Sequence, residues 1–373
     1  MSIQIKEVIT KEDRKKFVNL QFELYKDNKY WAPPFIKGEL KYLDPKYNPA
    51  FKFSDVKFFI AFKDNKVVGR IGAIVNKKYN EKTGRKYVRL SKPEFIDDFE
   101  VSQALINKVI EFGKEKGMSE IHGPLGFTNL DNQGLLIEGF EEVQSVACVY
   151  HLPYYKDHFE KLGFQKENDW IEFQLNLTDD VIAKANKGSN LVLKRYGFEL
   201  LLFKSVKEMK LYTTEVFDII NESFAKLPYV VPFDEELKQY YVDKYFDILN
   251  PKYVTGVKKD DELIGFFIVV PSLTKTMQKA NGKASIRAFF DLKKAKKKNT
   301  VADLFLVGVK EKYQNFGVAV PLFTAIQNAL KENGISTFEV TGVFEINKAV
   351  ITNWKSYDNR QHKRRRCYVK EIN

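Results

Sequence analysis

Apolar positions in the first half of the chain follow helical spacing in some segments and strand spacing in others. The apolar side chains of 11–28 and 100–116 recur at helical intervals, and Gly117 ends the second pattern as a helix cap. Residues 55–62 and 66–76 are rich in β-branched and aromatic side chains and flank a Lys-Asp-Asn turn, which predicts two paired strands. This half is therefore expected to combine helices with strands.

The second half repeats the order of elements with little sequence identity to the first. Helices are predicted over 207–226 and 235–249, followed by a hairpin over 253–271. An apolar strand over 301–309 then precedes a helix over 315–332, which Asn-Gly stops. The repeated order indicates two structurally related domains.

The expected domains are 1–178 and 199–373, joined by a polar linker over 179–198. The length of 373 residues suits two domains of about 100–200 residues each. The basic segment 275–299 shows little periodicity and is expected to be an exposed insertion. The run Lys-Arg-Arg-Arg at 363–366 lies in the last predicted strand, where it would either contact phosphate or protect a sheet edge, and we favour the edge.

Composition narrows the class of protein. Hydrophobic residues make up 44% of the chain, enough to build packed cores. Two cysteines and four histidines give no disulfide framework and no metal-ligand spacing, so no metal is expected. The start of the chain lacks a signal-peptide pattern, and the longest apolar run, 263–273, is shorter than the ~20 residues of a membrane helix. We therefore expect a cytoplasmic protein with no membrane segment, whose net charge of +12 reflects a lysine-rich surface.

The segment 307–319 is the most informative for chemistry. A strand ends near Val309, a short loop follows, and a helix begins near Gly317. Backbone N–H groups in the first turn of a helix are unpaired and favour an anion such as a pyrophosphate. Gly317 and the small Ala319 would let such a ligand approach the backbone.

With Gln314, Gly317 and Ala319, the segment resembles motif A of the GNAT superfamily of acyl-CoA N-acyltransferases, Q/R-x-x-G-x-G/A, although Lys310 departs from the usual entry to the loop. The resemblance implies an α/β (α+β) fold of two tandem GNAT-like domains, each a mixed, mostly antiparallel central sheet flanked by helices. It also implies acetyl-CoA or another acyl-CoA as co-substrate, with its pyrophosphate in the loop and its pantetheine along the preceding strand. The residues expected to bind the coenzyme are Val307, Val309, Gln314, Asn315, Phe316, Gly317, Val318, Ala319 and Asn347.

The resemblance also implies an acid and a base. Many GNAT proteins carry a tyrosine that protonates the departing thiolate, but Trp354 occupies that place here, and indole cannot serve as this acid. Tyr357, about one helical turn away, is the candidate that remains. For the base, Asp303 lies on the strand where several family members carry a glutamate, and Glu339 and Glu345 are alternatives.

The first half has no equivalent loop. After its strand near 87–94 come Asp97, Asp98 and Glu100, whose charge would repel a phosphate. Residues 159–164, Phe-Glu-Lys-Leu-Gly-Phe, nevertheless resemble the end of GNAT motif B. This half is therefore expected to be a degenerate GNAT domain. Its polar and aromatic loops are expected either to cover the core or to line an acceptor pocket between the domains; these loops are 30–35, 129–133 and 151–155.

Three hypotheses for function remain at this point. The first is an acyl-CoA-dependent N-acyltransferase that acts on a small-molecule or peptide amine, as a monomer or homodimer. The second is a catalytically inactive GNAT-fold protein that binds a ligand or regulates another protein. The third is a nucleic-acid-associated protein, which we do not expect because no recognition motif is evident.

Overall fold

The computed structural model describes residues 2–354 and 357–372. The hairpins and the strand before the loop lie where the sequence predicts them, and the short strand β6 was not predicted. The strands are β1 Gln4–Glu7, β2 Ser54–Lys63, β3 Lys66–Asn76, β4 Tyr87–Phe95, β5 Glu120–Gly123, β6 Leu135–Glu138, β7 Gln165–Asn176, β8 Glu199–Leu202, β9 Val254–Lys259, β10 Glu262–Pro271, β11 Val301–Val309, β12 Thr337–Phe344 and β13 Asp358–Glu371.

Helices pack on both faces of these strands. Particular residues fix where some helices begin and end: Thr10 and Asp13 form a capping box at the start of the first helix, and Gly197, in the left-handed conformation, ends the sixth helix. The helices are α1 Lys11–Leu24, α2 Ile36–Tyr42, α3 Lys77–Thr83, α4 Phe99–Glu115, α5 Tyr154–Lys161, α6 Asp179–Tyr196, α7 Val206–Leu211, α8 Thr213–Ser223, α9 Glu235–Tyr245, α10 Thr274–Ala280, α11 Ile286–Lys297, α12 Ala319–Glu332 and α13 Lys348–Trp354, with 3-10 helices at Pro49–Phe53, Phe246–Ile248, Pro251–Tyr253 and Glu311–Phe316.

One mixed sheet runs through the described part of both halves. Its strand order is β1-β2-β3-β4-β5-β13-β7-β12-β11-β10-β9-β8, and β6 pairs with β13. The pairings of β4 with β5 and of β11 with β12 are parallel. The remaining pairings among the described strands are antiparallel, as predicted for each half.

The two halves exchange their last strands. β7 belongs to the first half but pairs with β12, with Asn176 opposite Thr337. β13 belongs to the second half but pairs with β5, with Tyr368 opposite Gly123. β7 and β13 also pair with each other along most of their length. Each half therefore completes the sheet of the other.

The favoured reading of the basic run at 363–366, a protected sheet edge, was wrong. β13 lies inside the sheet and not at its edge. Arg365 is buried and its Nε donates to Glu172 Oε1 at 2.7 Å, while the Arg366 Nε donates to Asp169 Oδ1 at 2.8 Å. The carboxylates on the neighbouring strand β7 neutralise the arginines, which is why the run can lie in the interior.

Two segments expected to be irregular are helical. The predicted linker 179–198 contains α6, which lies along α12; the side chains of Asn186 and Asn328 hydrogen-bond to each other there. The predicted insertion 275–299 contains α10 and α11. Each segment carries apolar residues at helical spacing that pack on neighbouring elements, such as Val192 and Tyr196 of α6 and Leu292 and Ala295 of α11.

The faces of the sheet carry different cores. One core spans both halves and includes Phe17 and Ile60 from the first and Ile219 and Ile268 from the second. The opposite face carries two other cores, one beneath α4 and one beneath α12. Every described helix is too short or too polar to cross a membrane. The shared core means that the two halves present one common face, on which the candidate site lies.

Candidate functional site

The strands β11 and β12 diverge in the middle of the sheet. They pair in parallel only from Val301 to Asp303 on β11, against Thr337 to Glu339 on β12. Beyond Asp303, β11 continues to Val309 while pairing with β10 only, within the described residues. The backbone edge of its last residues therefore faces an opening between the two strands, where an extended ligand could add main-chain hydrogen bonds.

A β-bulge lies where this opening begins. Ile268 of β10 is opposite Leu306 of β11, whereas the next residue, Val269, is opposite Leu304, so Phe305 is the extra residue. A bulge of this kind redirects side chains and interrupts pairing. Val270 is opposite Asp303, and because Ile268 and Val270 share one face of the sheet, Asp303 and Leu306 share it too.

Asp303 is a buried carboxyl with no hydrogen-bond partner for either oxygen among the described residues. Burial raises its pKa to about 7 and the nearby negative charge of Glu339 adds to the shift, while Lys363 and the nearby Ser145 hydroxyl partly oppose it. A carboxyl that titrates near neutrality is suited to act as a general base.

The other two acids considered for this role are engaged. The Glu339 Oε1 accepts a hydrogen bond from Gln174 at 2.7 Å, and its Oε2 lies 2.8 Å from His362 Nε2. Although burial opposes it, His362 and a nearby lysine hold the pKa of Glu339 below its usual range. Glu345 is paired with Arg364 at 2.9 Å and also with Lys166. Of the three candidates, Asp303 has the free carboxyl.

The predicted phosphate loop lies at the end of the open strand edge. It forms the 3-10 helix Glu311–Phe316, and Gly317 follows with a φ of 73°. This left-handed conformation favours glycine, and an added Cβ would also lie 3.3 Å from the Val192 side chain. The helix α12 then begins at Ala319 with no side-chain hydrogen bond at its N-terminus. Such an uncapped helix start is suited to an anion.

The coenzyme-binding candidates lie along this path. Gln314 donates from Nε2 to the Val309 carbonyl at 3.3 Å and so closes the loop. Asn315, Phe316 and Ala319 are exposed, whereas the Val318 side chain is buried beneath the loop. Val307 and Val309 pack on the core next to α12. Asn347 caps α13, because its Oδ1 accepts from the Val350 N–H at 3.3 Å.

Tyr357 lies on the other face of the sheet from Asp303. It packs with Phe323 and Trp354 in the core beneath α12, and its hydroxyl accepts a hydrogen bond from Gln327. Burial raises the pKa of Tyr357 above its ordinary value. The structure therefore does not bring the two predicted catalytic side chains together on one face.

The first half shows a different helix start at the matching place. The strands β4 and β5 also pair in parallel and then diverge. Asp98, however, caps α4 by accepting the Glu100 N–H at 3.0 Å, and it pairs with Lys63 at 2.7 Å. A carboxylate thus occupies the helix end where a phosphate would have to bind.

An apolar pocket of about 710 Å³ lies between α8, α9 and the sheet of the second half. Phe305 and Leu306 form its boundary at the bulge, and Val216 and Ile220 of α8 form part of the opposite wall. Sequence reasoning missed this pocket, because its lining residues show the ordinary spacing of helix and strand faces that form a core.

A polar cavity of about 690 Å³ lies beside the first-half strands. Its wall contains Glu94, whose Oε2 accepts hydrogen bonds from Tyr25 at 2.6 Å and Tyr155 at 2.8 Å. Burial raises the pKa of Glu94. The loops singled out from the sequence do line one cavity, through Trp31, Ala32, Pro34, Asn132 and His151, with Met277 of α10 alongside them.

Two linked halves, each with a parallel strand pair that diverges before a helix, define the tandem arrangement of the GNAT acetyltransferase fold, and this prediction is confirmed. The tandem GNAT protein from the clavulanic acid biosynthesis pathway, solved without AcCoA, matches with a TM-score of 0.59 at 12% identity, over 100% of this chain and 99% of that one.

Two relatives are similar in sequence along nearly their whole length. Protein YghO of Escherichia coli (strain K12) is 25% identical over 375 residues, covering 99% of this chain and 95% of that protein. The bacterial ceramide synthase of Caulobacter vibrioides (strain NA1000 / CB15N) is 24% identical over 375 residues, covering 98% and 96%. No family model matches the chain.

Proposed function

We propose that this protein is an acyl-CoA-dependent N-acyltransferase whose second half, 199–373, binds the acyl-CoA. The observation that carries the proposal is the continuous path from the bulge at Phe305, along the open edge of β11, to the uncapped start of α12. The pantetheine arm would pair with the open edge, and the pyrophosphate would lie at Gly317. The bulge end of the path lies next to Asp303, which supplies a free carboxyl on the same face as the apolar pocket.

The proposed reaction is the transfer of an acyl group from sulfur to nitrogen. A protonated amine cannot attack, and its ordinary pKa is near 10 for a lysine-like group, so it must lose a proton to a base. The ammonium first releases one proton to solvent, and the Asp303 carboxylate takes a second proton from the attacking nitrogen while the new C–N bond forms and the C–S bond breaks. The departing thiolate is then protonated by water or by the Asp303 carboxyl, since Tyr357 is bonded to Gln327 on the other face.

The apolar pocket favours a long acyl chain over acetyl. Its lining is apolar almost throughout, so it suits a hydrocarbon and offers little to a polar group. It adjoins Phe305 and Leu306, so a chain attached to a thioester at the bulge enters it without crossing the sheet.

The acceptor is proposed to be the amine of a lipid-like molecule. The relative named bacterial ceramide synthase supports this proposal, since a ceramide is the amide of a fatty acid and a long-chain amine. The polar cavity of the first half, 1–178, is proposed to hold the polar part of the acceptor, because Glu94, Arg70 and Lys92 lie in its wall. The first half then contributes to the acceptor site and not to coenzyme binding.

Calorimetric titration with coenzyme A tests the coenzyme site through Gly317→Glu. The new carboxylate would occupy the phosphate position, so we expect binding to be lost. Gly334→Glu is the matched control, because Gly334 also has a left-handed φ, 72°, and lies beyond the other end of α12. It carries the same backbone strain and the same charge and should bind normally. Equal binding by both variants would remove the site assignment.

A chain-length series tests the acyl pocket. Affinity for acetyl-, octanoyl- and palmitoyl-CoA should rise with length, because each buried methylene contributes about 0.8 kcal/mol. Val216→Trp places an indole in the pocket and should abolish this rise, whereas Thr214→Trp, on the exposed side of α8, should preserve it. If the wild type binds the three acyl-CoAs with equal affinity, the proposal of acyl-CoA binding stands, but the proposed preference for a long acyl chain is refuted.

A second candidate function is ligand binding without catalysis. It is favoured by Trp354 at the usual tyrosine position and by the hydrogen bond that engages the Tyr357 hydroxyl. The release of free coenzyme A in the presence of long-chain amines distinguishes acyl transfer from ligand binding alone. Sustained release would support the acyltransferase, and tight binding of acyl-CoA without any release would support a ligand-binding protein.

A further inference from the structure

The segment 274–299 carries most of the excess positive charge of the chain. It contains nine lysine or arginine residues and one acid, Asp291, a net charge of +8 out of the +12 of the whole protein. It forms α10 and α11, joined by a short turn at Asn281 and Gly282, which both have positive φ. We refer to 274–298 as the basic hairpin.

The helix α11 has two different apolar faces. On its inner face Ala288 is buried, and Leu292 and Ala295 pack against the shared core. On its outer side Phe289 and Phe290 are 53% and 63% exposed, and Ile286 is 80% exposed. Large apolar side chains that lie together on an outer surface indicate a binding site.

Lysines surround the outer apolar side chains. Lys293 lies over the Phe289 ring, with its Nζ 4.3 Å from the ring centroid. Lys294, Lys297 and Lys298 follow toward the end of the helix and are exposed. An amphipathic helix with aromatic residues beside a basic face is typical of proteins that lie on anionic membranes.

The basic hairpin is fixed to both halves of the protein. The Ile36 N–H donates to the Gly282 carbonyl at 3.0 Å, and Gln278 donates to the Trp31 carbonyl at 3.0 Å. At the other end, Asn250 donates to the Lys296 carbonyl at 3.1 Å. A surface bound through the hairpin would therefore have a defined orientation relative to the sheet.

We propose that the basic hairpin docks the protein on a membrane surface of anionic phospholipids. Ile286, Phe289 and Phe290 would enter the boundary between headgroups and acyl chains, and the lysines would contact the phosphates. A second copy of this chain would bring the same positive charge against the hairpin and is disfavoured by repulsion. A nucleic acid would satisfy the lysines, but an aliphatic side chain such as Ile286 would gain little from it.

The basic hairpin lies beside both cavities. The docking proposal does not, however, depend on acyl transfer. Met277 of α10 lines the polar cavity. The inner face of α11 packs in the same core as Phe246 and Leu249, which line the apolar pocket. Docking through the hairpin therefore places both cavities close to the lipid from which chain-bearing substrates would come.

Vesicle co-sedimentation of the full-length protein tests the proposal. We expect binding to vesicles of phosphatidylcholine mixed with phosphatidylglycerol, and little binding to phosphatidylcholine alone. Raising the ionic strength should weaken binding, because salt screens the lysines. Phe289→Ser/Phe290→Ser should reduce affinity at least about tenfold, and Lys293→Glu/Lys297→Glu about thirtyfold or more.

Matched variants on another helix separate docking from general surface charge. Leu191, which is 65% exposed, and the exposed Lys184 and Lys194 lie on α6. Leu191→Ser and Lys184→Glu/Lys194→Glu should retain vesicle binding. The melting temperatures of all variants should agree within about 2 °C, as expected of surface substitutions.

Several results would overturn the proposal. These are absence of vesicle binding, equal binding to both lipid compositions, or equal loss in the α6 and α11 variants. The proposal would also be overturned if the protein did not bind vesicles but formed a dimer that Phe289→Ser/Phe290→Ser dissociates. It would likewise be overturned if the protein bound RNA in a gel shift and did not bind vesicles.

Discussion

Replacing Asp303 by asparagine should stabilise the protein in mildly alkaline solution while strongly slowing acyl transfer. The Asp303→Asn substitution keeps the shape of the side chain and removes its charge. In the wild type, an ionised Asp303 is buried near the negative charge of Glu339 and has no hydrogen-bond partner among the described residues. That charge destabilises the folded state, so its removal should be favourable at a pH where Asp303 is ionised.

The magnitude follows from the pKa of Asp303, which burial raises from 3.8 to about 7. Because the folded-state pKa is the higher one, stability is fully present below the unfolded value and is lost as the pH rises through about 7. At about 1.4 kcal/mol per unit, the total loss is at most about 4 kcal/mol, of which about 2 kcal/mol falls between about pH 5.5 and about pH 8.5. The asparagine variant should lack this loss.

Urea unfolding followed by tryptophan fluorescence measures the stability, because Trp31, Trp170 and Trp354 are all buried. Transfer is measured by the release of free coenzyme A. The wild-type rate should rise with pH through about 7, and the variant should be slower by about 10²–10⁴-fold. Glu345→Gln is the control that removes a paired acid and should keep the wild-type pH dependence. An Asp303→Asn variant with the wild-type pH dependence of stability, or with the wild-type rate, would refute the reasoning.

Three further predictions concern the body of the fold. Arg365→Met should leave a carboxylate on β7 buried with too few partners and lower the free energy of unfolding by about 3 kcal/mol or more; a loss below about 1 kcal/mol in urea would contradict this. Burial raises the pKa of the Cys148 and Cys367 thiols, so both should react with a disulfide reagent only as fast as the protein unfolds, and rapid labelling of the native protein would be inconsistent with the structure. The fragments 1–178 and 179–373 should each be unfolded alone by circular dichroism and should assemble when co-expressed, because each supplies a strand to the other; a folded lone fragment would show that the exchange is dispensable.

Local patterns predicted much of the fold. The hairpins at β2–β3 and β9–β10 have turns with characteristic residues, and β11 is an apolar run long enough to recognise. The strand exchange could not be predicted in this way, because the apolar pattern of β7 or β13 indicates only which side chains face inward. Contacts between residues far apart in the chain, such as Arg365 and Glu172, decide which strands are neighbours in the sheet.

The candidate site was predictable where it depends on short segments. The loop around Gly317 follows from the strand–loop–helix pattern, whereas Asp303 was singled out by the resemblance to GNAT proteins, and the roles of both stay predictions. His362 and Arg364, on the exchanged strand β13, pair with Glu339 and Glu345. Of the three candidate acids, only Asp303 is therefore left without such a partner in the part of the chain that the structure describes, and the local sequence could not predict this. The apolar pocket also could not be predicted, because a core residue and a pocket-lining residue have the same spacing.

The exchanged strands have a consequence for synthesis on the ribosome. β5 is complete once Gly123 has been made, but the strand that covers its edge ends at Glu371, the third residue from the end of the chain. At 5–20 residues per second, that edge stays without its native partner for roughly 12 to 50 s. An uncovered strand edge can pair with other chains. A premature stop codon before β13 would therefore leave the first half exposed, even though its own coding sequence is intact.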